Sequence, residues 1–173
     1  MIHLVPSDEA LLKGFADGKL RRVEEGWASR LRELRDREGR SLLHLTDDPE
    51  IIQALLEAGL DPNLAASNGR TPLLRYGRCV ASNRALLAAG ADPNLRDRLG
   101  YDALDHQTGY CYPCIGYCMP DLAALDVLIE GTGVMITRER AQRWKECARS
   151  QVSAAVEMNE YQAFESWVDL KSR

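Results

Sequence analysis

Three cysteines and a histidine between residues 106 and 118 have the types and spacing that metal binding requires. Cys111, Cys114 and Cys118 form the pattern C-x-x-C-x-x-x-C, and His106 precedes them. Three thiolates and one imidazole can hold a zinc ion in tetrahedral geometry. The chain has no second C-x-x-C or H-x-x-x-H pair, which structural zinc sites usually supply. We therefore predict no cofactor and keep zinc at these four residues as an alternative.

The same segment allows two other kinds of thiol chemistry. Cys111 and Cys114 could form a disulfide on oxidation, and Cys111, His106 and Asp105 are the residue types of a nucleophilic triad. No catalytic signature accompanies them, because the sequence lacks a phosphate-binding glycine-rich loop, H-E-x-x-H and an EF-hand pattern. We predict that the protein is not an enzyme, with a metal- or redox-responsive regulator as the alternative.

The composition is that of a folded protein with no general attraction to polyanions. The chain has 173 residues, of which 45% are hydrophobic and 28% charged, and its formal net charge is -4. A negative charge argues against nucleic acid and anionic membranes as partners. No run approaches the ~18 apolar residues of a membrane span, and residues 1–9 lack the regions of a secretory signal. We expect a cytoplasmic protein.

Two segments of the sequence repeat with a period of about 30 residues. The stretch A-L-L-E-A-G-L-D-P-N-L at 54–64 recurs as A-L-L-A-A-G-A-D-P-N-L at 85–95, with nine of eleven positions identical. A turn glycine precedes each stretch, at Gly39 and Gly69, and recurs at Gly100. Such a period is typical of an array of equivalent structural units.

Each repeat has the start and stop signals of paired helices. Ser41, Thr71 and Asp102 stand two residues after the turn glycine, where a side-chain oxygen can cap a helix. Gly59 and Gly90 stand where an outer helix would end in the left-handed conformation. Each unit is therefore predicted to be a helix, a short turn, a second helix and an extended hairpin-like connection.

The repeated residues resemble the ankyrin repeat. Its pattern of turn glycine, Thr-Pro-Leu-His, Leu-Leu, Gly-Ala-Asp and Asn is matched by Gly69, Thr71-Pro72-Leu73, Leu86-Leu87, Gly90-Ala91-Asp92 and Asn94. The resemblance implies an all-α solenoid of stacked helix-turn-helix units joined by short β-hairpin-like loops. It also implies that His44 makes hydrogen bonds between neighbouring turns. The units are shorter than the usual period of about 33 residues, and the deficit lies between the paired helices.

We predict a single ankyrin-repeat domain over residues 1–173. It has an N-terminal cap at 7–36, repeats at 37–66, 67–97 and 98–133, and a helical C-terminal cap at 134–173, because an open stack needs a polar face at each end. The third repeat contains an insertion at 107–120, which holds three of the five cysteines and three of the six tyrosines.

Both caps carry helix signals of their own. Ser7 is a predicted helix cap, followed by two acidic residues. Thr137 is predicted to cap a helix with Ala141 and Trp144 on its apolar side, and residues 159–161 are predicted to break the chain before a last helix.

The resemblance implies a protein that binds another protein. In an ankyrin stack the hairpin tips and inner helices line one concave surface, and arginine with tyrosine is typical of protein-binding surfaces. We predict partner contacts at residues of these loops and of the insertion: Arg40, Arg70, Arg75, Arg78, Arg96, Arg98, Tyr101, Tyr110, Tyr112 and Tyr117.

The expected partner is a protein that this chain masks or inhibits. Function as an immunity or antitoxin-like inhibitor or as an adaptor would fit a small chain of this kind, and a secreted effector that binds another organism's protein is the alternative. The free protein is expected to be a monomer.

Overall fold

The computed structural model describes residues 7–17, 26–75, 79–108, 121–130, 133, 135–151 and 155–172. Every regular element within these ranges is helical, which confirms the all-α prediction for the described part of the chain. The elements are α1 (Asp8–Ala16), α2 (Ala28–Glu33), α3 (Leu42–Leu45), α4 (Pro49–Glu57), a 3-10 turn (Pro72–Leu74), α5 (Val80–Ala88), α6 (Ala103–Gln107), α7 (Leu122–Ile129), α8 (Arg138–Gln151) and α9 (Ala155–Lys171). No helix of the described ranges is both long and apolar enough to cross a membrane.

The chain divides into two compact units. The first contains Met1–Leu73 and Ala81–Asp92, and the second contains Leu74–Val80 and Pro93–Arg173. In the first unit α3 packs against α1 and α4; in the second, α6 packs against α7, and α8 against α9. The core of the first unit is mainly leucine and isoleucine and includes Leu11, Phe15, Leu31, Leu42, Ile52 and Leu55. The core of the second unit mixes aliphatic and aromatic residues and includes Leu104, Leu125, Trp144, Phe164 and Val168.

The turn around the glycine at the start of each repeat has the same backbone hydrogen bonds in all three repeats. We call residues 36–40, 66–70 and 97–101 the first, second and third turns. In each turn the N–H of the first residue donates to the carbonyl of the fifth, at 3.1, 2.8 and 2.9 Å in the first, second and third turns. The carbonyl of the first residue accepts the N–H of the glycine, at 3.0, 2.8 and 2.9 Å. All three glycines have positive φ, at 72°, 82° and 86°. The sequence repeat therefore extends to the conformation of its turns.

The helices α4 and α5 end in the same way. Gly59 and Gly90 follow them with φ of 85° and 89°. The residue after each glycine donates its N–H to the carbonyl of the third-last helical residue, at 3.1 Å in α4 and 2.9 Å in α5. This is the Schellman arrangement, which satisfies carbonyls that a helix end leaves unpaired. The predicted left-handed helix ends are confirmed at both positions.

Alanine substitutions at Gly39 and Gly90 are expected to destabilise the protein to different extents. Both positions are left-handed, which costs an L-residue about 1–2 kcal/mol. A Cβ at Gly90 meets nothing within 4 Å, whereas at Gly39 it would lie 3.0 Å from Ser67 Oγ and 3.3 Å from Ser67 N. We expect Gly39→Ala to lower the free energy of unfolding more than Gly90→Ala, as measured by urea denaturation. Equal losses would contradict the close approach of the first two turns.

Two polar side chains join the first repeat to the second within the first unit. His44 Nε2 donates a hydrogen bond to the carbonyl of Arg70 at 3.0 Å, which confirms its predicted role between turns. Asn63 Nδ2 donates to the carbonyl of Gly90, and its Oδ1 accepts from the N–H of Asp92, both at 2.8 Å. These bonds fix the register of the two repeats at the turn and at the end of α5.

The predicted cap at Thr71 is wrong. Its Oγ1 is buried, and it has no hydrogen-bond partner among the residues the structure describes. The first repeat differs in that the Ser41 hydroxyl bonds Nδ1 of His44 at 2.9 Å. The equivalent of His44 in the second repeat is Leu74, which offers no polar atom, and the segment forms only a three-residue 3-10 turn.

The helix signals predicted within residues 7–36 and 134–173 are confirmed in part. Ser7 Oγ accepts from the N–H of Ala10 at 3.2 Å, and Thr137 Oγ1 accepts from the N–H of Arg140 at 3.2 Å. The predicted break at 159–161 is wrong, because these residues lie inside α9. Tyr161 is buried with Phe164 and Val168, and their spacing of three and four residues places them on one side of this helix.

Candidate functional site

The third turn is held from beneath by a buried carboxylate. Asp97 Oδ1 accepts hydrogen bonds from the N–H groups of Leu99 and Tyr101, at 2.9 and 3.1 Å. On the outside, Arg96 Nη1 donates to the carbonyl of Gly100 at 2.7 Å. Because the backbone is bound on both sides, the turn presents its outward side chains in one conformation.

His106 binds the second oxygen of the same carboxylate. Its ring is fully buried, and its Nε2 donates to Asp97 Oδ2 at 3.0 Å. Tyr101 lies edge-on to this ring, with centroids 6.3 Å apart and an interplanar angle of 89°. Burial disfavours the charged form of Asp97, but the hydrogen bonds from the Tyr101 N–H, the His106 ring and the Leu99 N–H outweigh it. They hold the pKa of Asp97 below its ordinary value.

Asp97 is expected to make stability depend on pH in the acid range. Its pKa is lower in the folded chain than the ordinary 3.8, so its contribution is fully present above about pH 4 and is lost as the pH falls through the folded value. From about pH 5 to about pH 2, the free energy of unfolding should fall more steeply in the wild type than in Asp97→Asn. Urea denaturation across this range tests the difference, and parallel curves would contradict the assigned role of Asp97.

Two more buried carboxylates face an arginine of α8. The side chains of Asp102, Asp105, Arg140 and Trp144 form what we call the Arg140 cluster, and the three charged residues are 3%, 6% and 8% exposed. Arg140 Nε donates to Asp105 Oδ1 at 3.1 Å, and Nη2 donates to Asp102 Oδ1. Trp144 Nε1 also donates to Asp105 Oδ1, at 3.0 Å, and the guanidinium lies 4.7 Å from the centroid of its ring.

The cluster is joined to the third turn and to the start of α6. Arg96 Nη2 lies 3.2 Å from Asp102 Oδ2. Asp102 Oδ1 accepts from the N–H of Asp105 at 3.2 Å, and Asp105 Oδ2 accepts from the N–H of Asp102 at 3.3 Å. The predicted cap at Asp102 is therefore confirmed, and the two carboxylates form a reciprocal capping box.

The cluster replaces the contact that His44 makes in the first repeat. Asp105 occupies the equivalent position, but it accepts hydrogen bonds from Arg140 and Trp144, whereas His44 donates one to a turn carbonyl. We missed this arrangement in the sequence. The sequence does contain a signal for it, because three aspartates, at 97, 102 and 105, occupy repeat positions that are buried. Buried carboxylates require a nearby cation or hydrogen-bond donors.

The structure pairs the residues of the predicted triad and zinc site with other groups. His106 is bonded to Asp97, and Asp105 to Arg140 and Trp144. The other members, Cys111, Cys114 and Cys118, lie outside the described residues, so the zinc, disulfide and triad hypotheses stay predictions. Within the described ranges, no three His, Cys, Asp or Glu side chains are grouped so that they could hold a metal ion.

The predicted contact residues fall into three groups. Arg40 and Arg70 belong to the first unit, whereas Arg75, Arg96, Arg98 and Tyr101 belong to the second. Arg78, Tyr110, Tyr112 and Tyr117 lie outside the described residues. The first two turns are joined by a hydrogen bond of 2.8 Å from Ser67 N–H to the Glu38 carbonyl. The structure thus places Arg40 and Arg70 on neighbouring turns and Arg96, Arg98 and Tyr101 on or beside the third.

The arginines differ in how far they are engaged within the chain. Arg40 forms ion pairs with Asp36 and Glu38, at 2.7 and 3.1 Å, and Arg96 is tied to the buried Asp102. Arg98 is exposed at the third turn. Arg98 is therefore better placed than Arg40 or Arg96 to bind another molecule, because those two would first have to break an ion pair.

No family model matches the chain, and no curated protein is significantly similar to it. Function is therefore argued from the chain's own residues.

Proposed function

We propose that the protein is a cytoplasmic, non-enzymatic ankyrin-type repeat protein that binds a specific protein partner and masks or inhibits it. The observation that carries this proposal is the shared conformation of the three turns, which differ in the half-buried residue after the glycine. This residue is Arg40, Arg70 or Tyr101. A rigid frame that presents different side chains from equivalent loops is suited to recognising another protein, and arginine and tyrosine are enriched where binding energy concentrates.

The links between the first two repeats support the ankyrin-type stack. His44 reaches the next turn, and Asn63 reaches the end of the next outer helix. Bonds of this kind make each repeat depend on its neighbour, as in other proteins built from stacked units.

The buried charges support binding over catalysis. Five buried charged or polar side chains direct polar atoms at one another, at backbone N–H groups, at Arg96 or at Trp144, namely Asp97, Asp102, Asp105, His106 and Arg140. A catalytic group must reach a substrate, whereas these five side chains are buried and stabilise the turn and α6.

The test is isolation of the tagged protein from its native host, followed by mass spectrometry and by measurement of the complex's molar mass. We expect one protein partner per chain. Arg98→Glu should weaken its retention, while Arg143→Glu, a matched charge reversal at an exposed position on α8, should not. Absence of any stoichiometric partner at both low and physiological salt would contradict the proposal.

A further inference from the structure

We propose that Leu99 is the apolar anchor of the partner interface and that the partner offers an apolar pocket bordered by carboxylates. This inference rests on the proposed function and specifies the chemistry of the partner. Leu99 is 74% exposed and stands directly before the glycine of the third turn. Single exposed leucines are common on protein surfaces, so the argument depends on its position, its neighbours and the other two turns.

The other two turns show that this position does not require an apolar residue. Glu38 and Asn68 are the equivalents of Leu99, and both take part in their own turn. Glu38 forms an ion pair with Arg40 at 3.1 Å, and Asn68 Oδ1 accepts the N–H of Arg70 at 3.0 Å. The three backbones share the same hydrogen bonds. The leucine therefore adds nothing that the turn needs, and its large exposed side chain is available to another molecule.

The charges around Leu99 favour an acidic partner. In the first turn the carboxylates of Asp36 and Glu38 neutralise Arg40. In the third turn the only carboxylate, Asp97, is buried against His106. Arg96 is paired with the buried Asp102 at 3.2 Å, so the exposed charge that remains beside Leu99 is the guanidinium group of Arg98. Carboxylates on the partner would complement it and would raise the rate of association.

The backbone of the third turn is also preorganised for binding. Asp97 holds the N–H groups of Leu99 and Tyr101, and Arg96 holds the carbonyl of Gly100. Little conformational freedom remains to be lost on association, which lowers the entropic cost of burying Leu99.

A different protein fits this surface better than a second copy of the chain. In a symmetric dimer formed through the third turn, each Leu99 would approach the same patch on the other copy. Arg98 of one copy would then face Arg98 of the other, and like charges at such an interface are unfavourable.

The experiment begins by placing a photo-crosslinking amino acid at position 99, or at the matched position 68, in the native host. The protein crosslinked from position 99 is then produced recombinantly, and its affinity and rate constants are measured against four chains: wild type, Leu99→Asn, Arg98→Ser and Asn68→Ala. The first two substitutions introduce the residue types found at the equivalent positions of the second turn, and the third is the control.

We expect Leu99→Asn to weaken binding by about 30-fold or more, mainly through faster dissociation. Arg98→Ser should slow association and reduce its dependence on salt. Asn68→Ala should change affinity by less than about twofold, which is within the usual effect of a peripheral contact. Because Leu99 and Arg98 are exposed, the melting temperatures of their variants should match that of the wild type.

The outcomes separate this inference from the proposed function. A partner that binds Leu99→Asn as tightly as the wild type would overturn the role of Leu99 and leave the binding function intact. Crosslinking of position 99 to a second copy of the chain would overturn the choice of a different protein. A partner whose crosslinked surface lacks carboxylates would overturn the predicted chemistry. Failure to recover any stoichiometric partner would overturn both proposals.

Discussion

Replacing Arg140 with alanine is expected to lower the free energy of unfolding by about 3–5 kcal/mol, the usual cost of removing one partner from a buried ion pair. Arg140 is bonded to Asp102 and Asp105, and all three are almost fully buried. Without the guanidinium, the two carboxylates at the start of α6 would lose the cation that α8 supplies. Arg143→Ala, an exposed arginine on the same helix, is the control and should cost about 0.5 kcal/mol or less.

The cause of the loss can be checked with a compensating variant. Asp102→Asn and Asp105→Asn remove both negative charges, and asparagine remains a good helix cap. Combined with Arg140→Met, they should recover part of the stability lost in Arg140→Ala, because the uncompensated charge is then gone. Urea denaturation at neutral pH measures all four proteins. If Arg140→Ala and Arg143→Ala were equally stable, the cluster would have no structural role.

Replacing Asn83 with isoleucine is expected to raise the free energy of unfolding by about 2 kcal/mol. Asn83 is 1% exposed, and neither its amide nitrogen nor its amide oxygen has a hydrogen-bond partner in the described part of the chain. An unpaired buried polar group costs about 1–3 kcal/mol, and the larger apolar side chain adds burial at the risk of some overpacking. The equivalent residue of the first repeat, Ile52, is fully buried.

Two matched variants show whether the unpaired amide is the cause. Ile52→Asn, the reverse exchange in α4, should destabilise the protein strongly, because it places a polar group in an apolar site. Ser82→Ile should not stabilise it, because the Ser82 hydroxyl donates to the carbonyl of Asp47 at 2.9 Å. These variants are compared by thermal and urea denaturation. A less stable Asn83→Ile would contradict the expected gain from removing an unpaired amide.

Local features of the repeats were predictable from the sequence because they depend on a few neighbouring residues. Gly59 and Gly90 were expected to be left-handed helix ends, and both are. Ser7, Asp102 and Thr137 were expected to cap helices, and each accepts the N–H that this role requires. In all these cases a side chain or a glycine acts on backbone groups within one turn of itself.

Contacts between distant residues were not predictable in the same way. Arg140 meets Asp105 across 35 positions, and nothing in its local sequence distinguishes it from the exposed Arg143. The three aspartates of the third repeat indicated that a cation was needed, but many arginines were available. The 3-10 turn at Pro72–Leu74 was also missed, since Thr-Pro favours a helix start.

In the candidate site, too, the local features were predictable from the sequence and the contacts between distant residues were not. The sequence singled out Arg96, Arg98 and Tyr101 by their positions around the third turn glycine, but it did not show that Arg96 is committed to Asp102. Leu99 was not chosen because an isolated leucine in a sequence is usually a core residue. Its significance depends on the exposure of its side chain and on comparison with Glu38 and Asn68 in the same backbone conformation.

The most direct test of the proposed function is the molar mass of the protein isolated from its native host, measured by light scattering during size-exclusion chromatography. A protein-binding module that masks its partner should elute as a complex of one chain with one partner at physiological salt, and the complex should dissociate when Leu99→Asn and Arg98→Ser are combined. A chain that elutes alone, at the 19.3 kDa of the monomer under every salt condition, would contradict the proposed function.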